Sequence, residues 1–242
     1  MKFFKLGSFS LIALAFAMNL QAQTVDEIIN KHIDAIGGKD IINAVKSLYI
    51  ESTMEVMGNE APTVTTIVNG KGYKSETDFG GQKIINVVTD KGGWMLNPMM
   101  GQTSPEALPA DQAKAAQGQL QIGGPLFDYA AKGNKVELLG KEDVNGVSAH
   151  KIKVTTKDST ESTLFVDPNT YYILKAVNKL NAGGQEGETT VTFSNYQKTS
   201  TGYVFPMAQQ ITLPQGITLS LTHKKVEVNK DIDPKVFDMP KS

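Results

Sequence analysis

The spacing of apolar residues changes once along this chain, and that change organises it. From Thr24 the apolar positions Ile28, Ile29, Ile33 and Ile36 recur at helical spacing, with Asn30, Lys31 and Asp34 elsewhere on the wheel. Thr24-Val25-Asp26-Glu27 has the form of a capping box, and Gly37-Gly38 supplies the stop. A short second helix is expected over Asp40–Lys46. From Ser47 the period becomes two: Leu48, Ile50, Met54 and Val56 alternate with Tyr49, Glu51, Thr53 and Glu55, the mark of a half-buried strand. Strand-like runs follow at Thr63–Asn69, Gly72–Phe79, Lys83–Thr89 and Gly93–Leu96, separated by glycine pairs and single glycines.

The alternation lapses between Asn97 and Gly133. There Ser104-Pro105-Glu106 reads as a helix cap with proline in the first turn, Asp111–Gln119 is helix-friendly, and Pro125–Ala131 suggests another short helix. Strands then resume. Asn145-Gly146 joins Lys135–Val144 to Val147–Thr156 as a hairpin, and Asp167-Pro168-Asn169-Thr170 turns Glu161–Val166 into Tyr171–Lys179. Gly183-Gly184, Thr201-Gly202 and Pro214-Gln215-Gly216 punctuate the remaining runs. In the last of them Ile217, Leu219, Leu221 and His223 share one face. The expected fold is therefore mainly β (α+β): one antiparallel meander of about ten or eleven strands. A sheet that wide curls, and the helical pieces cover its concave face.

The first residues follow a different logic. Lys2 and Lys5 precede an apolar stretch from Leu11 to Met18, too short for the roughly 18 residues of a membrane span. With Leu20-Gln21-Ala22 behind it, this reads as a signal peptide, residues 1–22, although Leu20 is bulkier than the small residue usual there. Gln23 stands where a lipid-anchored protein would carry cysteine. The expectation is export to the periplasm as a soluble protein, with residues 23–242 forming a single domain. Removing Lys2 and Lys5 takes the formal net charge from −1 to about −3, which disfavours a nucleic-acid partner. Cysteine is absent, which excludes disulfides, thiolate metal sites and cysteine nucleophiles. Every one of the 24 basic residues is lysine, so no guanidinium fork exists for bidentate recognition of carboxylate or phosphate.

Catalytic and metal patterns are weak. Gly146-Val147-Ser148-Ala149-His150 lacks the second glycine of a nucleophile elbow and follows a hairpin turn. Gly70-Lys71-Gly72 lacks the third glycine and the helix of a dinucleotide site. His32, His150 and His223 are far apart, and Asp231-Ile232-Asp233 lacks the spacing of a calcium loop. Asp26 and Glu27 suit the helix dipole better than paired acid–base work. No catalytic residue, cofactor or metal is expected.

Several longer strings carry a resemblance. Val25-Asp26-Glu27-Ile28-Ile29 through Ala35-Ile36-Gly37-Gly38, Gly93-Trp94-Met95-Leu96-Asn97-Pro98 and Gly124-Pro125-Leu126-Phe127-Asp128-Tyr129 are three of them. Phe165-Val166-Asp167-Pro168-Asn169-Thr170-Tyr171-Tyr172-Ile173-Leu174 and the tail Val226-Glu227-Val228-Asn229, Ile232-Asp233 and Phe237 complete the set. Together they resemble the LolA-like periplasmic lipoprotein-carrier superfamily, especially its outer-membrane-lipoprotein-sorting-protein-like members of Bacteroidetes. The resemblance implies an incomplete β-barrel closed by helices around an apolar cavity. It also implies lipoprotein or lipid acyl chains as cargo, exchanged with membrane-bound donor or acceptor complexes. The carriers it resembles use a buried arginine to hold the lid, and this chain has none.

A carrier must shield methylenes worth roughly 0.8 kcal/mol each and still release them, for which adaptable methionine is suited. Trp94, Met95, Met99 and Met100 lie beside the insertion that holds Leu126, Phe127 and Tyr129, and these are the expected lining of the cavity mouth. Tyr172 and Leu174 on one strand, and Leu219 on another, are added from the alternation. The same residues equally suit a solid core. Two functions stay open: a soluble periplasmic carrier or chaperone for a hydrophobic ligand, and a non-catalytic sensor or assembly module gripping a protein segment in an apolar groove.

Overall fold

A computed structural model describes residues 23–182 and 185–240. The expected signal peptide lies outside the described residues. Helix α1 (Val25–Ala35) starts from the capping box: Thr24 Oγ1 accepts from the Glu27 amide at 3.2 Å, and Glu27 Oε2 accepts from the Thr24 amide at 3.1 Å. Gly37 and Gly38, at φ 125° and 87°, take the left-handed turn that leads into α2 (Lys39–Ala44).

The strands follow: β1 (Ser47–Val56), β2 (Asn59–Val68), β3 (Gly72–Phe79), β4 (Gln82–Thr89), β5 (Gly92–Leu96) and β6 (Glu106–Ala107). A third helix, α3 (Ala110–Ala115), leads through a tight turn to β7 (Lys135–Val144), β8 (Val147–Thr155), β9 (Glu161–Val166) and β10 (Ile173–Ala182). The chain ends with β11 (Gln185–Lys198), β12 (Val204–Thr212), β13 (Thr218–Val228) and a 3-10 turn at Pro234–Phe237. All pair antiparallel in one sheet ordered β6-β5-β4-β3-β2-β1-β13-β12-β11-β10-β9-β8-β7. Met57-Gly58, Gly80-Gly81 and Asn145-Gly146 all adopt positive φ at both residues, the two-residue hairpin geometry that matches strand twist.

Three local expectations need correction. Ser104-Pro105-Glu106 does not cap a helix; Glu106 pairs with Met95 instead, and the helix begins at Ala110 behind Pro109. Both prolines push the residue before them into extended backbone, which delays the helix. Pro125–Ala131 is a run of turns, because Gly123, Gly124 and Asp128 all sit at positive φ. The strands number 13 rather than ten or eleven. One of these is the two-residue β6. In addition, β2 begins earlier than its pattern, at Asn59, and tolerates Pro62 because pairing with β3 begins only at Thr63.

One core proves the curl. Ile28, Ile29 and Ile33 of α1, Ile42 of α2, and Ile122, Leu126 and Phe127 of the insertion pack against Leu48 and Ile50 of β1. The same cluster includes Ile152 and Val154 of β8, and Leu164 and Val166 of β9. In a flat sheet β1 and β8 would lie about 28 Å apart, six strand spacings, whereas a helix is about 10 Å across. The sheet therefore wraps around the helices. It does not close: β6 and β7 are its edges, and residues 108–134 bridge them, with α3 lying against β5 and β10 and Lys114 Nζ 3.4 Å from Asp158 Oδ1. Two smaller clusters sit on the outer face. Val87, Trp94 and Phe237 form one, and Val144, Ala149 and Phe165 the other. No helix among the described residues is long and apolar enough to cross a membrane.

Candidate functional site

The inner face has two unlike halves. Near Leu48, Ile67 and Val228 it is filled by α1, α2 and the insertion. Toward the opposite end the helices stop short, and inner-face side chains that would otherwise be core remain half-buried. Register identifies them: Met54 of β1 opposes Leu221 of β13, Val56 opposes Leu219, and Leu219 opposes Ile211 of β12. Across β1 the same face continues through Phe79 of β3 and Ile84 of β4, also half-buried. At the rim, exposed Met57 and Ile217 occupy neighbouring hairpin turns, and Met99 and Met100 follow β5. Such a set forms an open apolar concavity.

A polar belt crosses the floor between the two halves. Ser52 Oγ lies 2.7 Å from His223 Nδ1, and His223 Nε2 lies 3.2 Å from Gln209 Nε2. Thr63 and Thr77 bond hydroxyl to hydroxyl at 2.9 Å on the adjoining strands. Burial pushes the His223 imidazole down to about 4, so it is neutral at pH 7. A serine beside a histidine invites comparison with a nucleophile and its base. Here no carboxylate orients the ring. The Gln209 amide nitrogen faces Nε2, which puts the ring proton on Nδ1, toward the serine, and that is the wrong tautomer for a base. The other histidines are also held low by burial. His32 bonds through Nδ1 to Tyr171 O at 2.8 Å, and His150 lies on β8. Among the described residues no group of three or more His, Asp and Glu side chains is placed to hold a metal.

The residues singled out from sequence separate into distinct places. Leu219 lines the open concavity, and Met95 is on the inner face of β5 opposite Asn86. Met99 and Met100 are at the rim, 63% and 76% exposed. Leu126 and Phe127 are buried within the filled half. Tyr129 packs beside them and donates to Asp26 Oδ1 at 2.6 Å, an acceptor that raises the phenol's pKa. Tyr172 stacks on Tyr196 at 4.3 Å against the same core. Trp94 points outward beneath the C-terminal turn and donates from Nε1 to Phe237 O at 2.9 Å. Leu174 joins the outer cluster with Phe165, not the core with Tyr172, because a bulge between Ile173 and Lys175 resets the alternation. Met54, Val56, Leu221 and the Ser52–His223–Gln209 chain were not singled out. The shared face of Leu219, Leu221 and His223 was the available signal, while Gln209 carried none.

In the insertion, Lys132 lies 5.5 Å from the Phe127 ring centre and donates to Gly124 O at 3.2 Å, with burial lowering its pKa. Lys39 pairs with Asp128 at 2.9 Å, tying α2 to the same segment. Two depressions of about 190 and 280 Å³ lie outside the concavity, one bordered by Ile41, Ala44 and Thr201 and the other by Val136, Lys153 and Thr155. Both are smaller than the roughly 300–1,000 Å³ of ordinary ligand pockets.

No family model matches the chain, and no curated protein matches it in sequence. Solved structures do match in fold. A LolA superfamily protein from Nitrosomonas europaea aligns with a TM-score of 0.58 at 15% identity, covering 90% of this chain and 98% of that one. An outer membrane lipoprotein-sorting protein domain from Vibrio parahaemolyticus aligns at 0.55 with 16% identity, covering 88% and 95%. A DUF1329 family protein from Desulfovibrio piger aligns at 0.52 with 12% identity, covering 90% and 98%. The chain shares the fold of these LolA-like proteins.

Proposed function

We propose that this protein is a soluble periplasmic carrier or chaperone, which shields lipoprotein acyl chains or another hydrophobic ligand in the open concavity. The observation that carries the reading is the row of half-buried Met54, Val56, Leu219, Leu221 and Ile211 beneath a methionine rim, on a fold shared with a lipoprotein-sorting domain. An unpaired apolar inner face at one end of an otherwise filled barrel suits a ligand that enters and leaves. Each methylene it covers contributes roughly 0.8 kcal/mol. The work is binding rather than catalysis, and its exchange partners are membrane-bound donor or acceptor complexes. Export through cleavage before Gln23 leaves the carrier untethered, as a shuttle requires.

The test is to express the full chain with its export signal, purify it gently from the periplasm and extract it with solvent for mass spectrometry. Copurifying acyl lipid is the expected result. A spectrum free of lipid, with a copurifying apolar peptide instead, transfers the concavity to the sensor or assembly reading.

A further inference from the structure

The inner face is not uniformly greasy, and its polar belt has a definite position and charge. Across β1, β2 and β3 the register sends Glu51, Glu55, Glu60, Lys74, Glu76 and Asp78 to the outer face. The belt itself contains only uncharged groups: Ser52, Thr63, Thr77, Gln209 and the neutral His223. Buried polar groups retained in the floor of an apolar groove are costly unless satisfied, and here they satisfy one another only in part.

The hydrogen bonds run in one direction. With the Gln209 amide nitrogen donating to His223 Nε2, the ring donates from Nδ1 to Ser52 Oγ. Ser52 Oγ therefore receives a bond and keeps its own hydrogen to give. The single Thr63–Thr77 bond likewise leaves one hydroxyl hydrogen and several lone pairs uncommitted among the described residues. Ser52 opposes Thr63, which opposes Thr77, so the unspent donors converge on three adjacent strands. From Ser52 the inner face of β1 continues through Met54 and Val56 toward Met57 at the rim, roughly 17 Å of apolar surface at strand rise.

We infer that the concavity selects an uncharged amphiphile, an acyl ester or amide. Its carbonyl accepts from Ser52 and the Thr63–Thr77 pair, and its hydrocarbon tail lies over Met54 and Leu221 toward the rim. This rests on the carrier reading and narrows its ligand class. A carboxylate head is disfavoured because no ammonium or guanidinium faces it, and a plain alkane leaves the hydroxyl donors unmet.

The test uses the full chain without its signal segment's lipid, delipidated on a hydrophobic resin. Methyl laurate, lauric acid and dodecane each compete at pH 7 with a naphthalene-sulfonate dye bound in the concavity. Methyl laurate should compete about tenfold better than either of the others. The double variant Ser52→Ala, Thr63→Val should bring it to the level of dodecane and leave dodecane unchanged. Should that variant fail to fold, Gln209→Leu, at a half-buried position, should cost methyl laurate about threefold by releasing the far end of the chain. Equal competition by ester and alkane, or a preference unchanged in the variants, overturns the inference and leaves the carrier reading standing. Failure of all three probes overturns the carrier reading itself. Recovery of methanol and laurate from the ester, lost on Ser52→Ala, overturns it in favour of hydrolysis.

Discussion

Leu221→Asp is the sharpest probe of the concavity. The side chain is half-buried on the inner face, flanked by Met54 on β1 and Gln209 on β12. Full burial of a leucine is worth about 1.5–3 kcal/mol, so the portion a ligand covers contributes roughly 1 kcal/mol. Forcing the chain of a ligand against a polar group that it cannot satisfy adds about 1–3 kcal/mol. The sum, about 2–4 kcal/mol, weakens binding roughly 30- to 700-fold. In the unliganded protein the aspartate still reaches water at the open end, so stability should change by no more than about 1 kcal/mol. Titration with a fluorescent acyl probe gives the first number and a thermal melt the second. Undiminished probe affinity, or a loss that appears only together with unfolding, would refute the placement of the ligand.

The single tryptophan supplies an independent check of the outer face. Gly72 has no side chain because the Phe237 ring would lie 2.7 Å from its Cβ, and that ring covers Trp94. Phe237→Ala should red-shift Trp94 emission and cost about 3 kcal/mol of stability, while leaving acyl-probe affinity intact. Two acid transitions should separate. His223 is held to about 4 against an ordinary 6.5, so the unfolded chain takes up a proton that the folded chain refuses. Its contribution is complete above pH 6.5 and is lost as pH falls from 6.5 toward 4; His223→Phe should remove about 2–3 kcal/mol of that slope, after discounting for solvent screening. His32 and His150, shifted the same way, supply the rest. Glu161 is held down to about 2 by its bonds to Lys153 and Lys179. Its contribution is present above pH 4.5 and disappears as pH falls through 2, so melts of Glu161→Gln and the parent chain should differ at pH 6, converge near pH 2, and draw together in high salt.

Much of the fold was legible because it is written locally. The capping box at Thr24–Glu27, the stop at Gly37-Gly38 and the Asn145-Gly146 hairpin each depend on residues within one turn of one another, and each formed where expected. The lapse at residues 97–133 was legible as a lapse and misread in detail. Its helix propensity competes with two prolines, a run of positive-φ residues and a short pairing to β5, none of which alternation reports. The candidate site was legible as apolar strands but not as a place. Trp94 and Met95 are neighbours in sequence and face opposite sides of β5, so only one of them points toward the concavity.

By itself, then, the sequence determined which stretches are strands, which residues share a face and that the sheet is too wide to stay flat. Period and turn chemistry are properties of neighbouring residues, and they survive without knowledge of the rest. Which face is inside, and whether it is filled, was decided by the tertiary structure. The bulge between Ile173 and Lys175 turns Leu174 outward, and the one between Glu51 and Ser52 keeps His223 and Val226 on the same side. Helices that reach Leu48 but stop before Met54 leave half the barrel open. That boundary comes from packing between residues more than a hundred positions apart. For the same reason Ser52 meets His223 only in the folded chain, and no pattern along the sequence announces the pair.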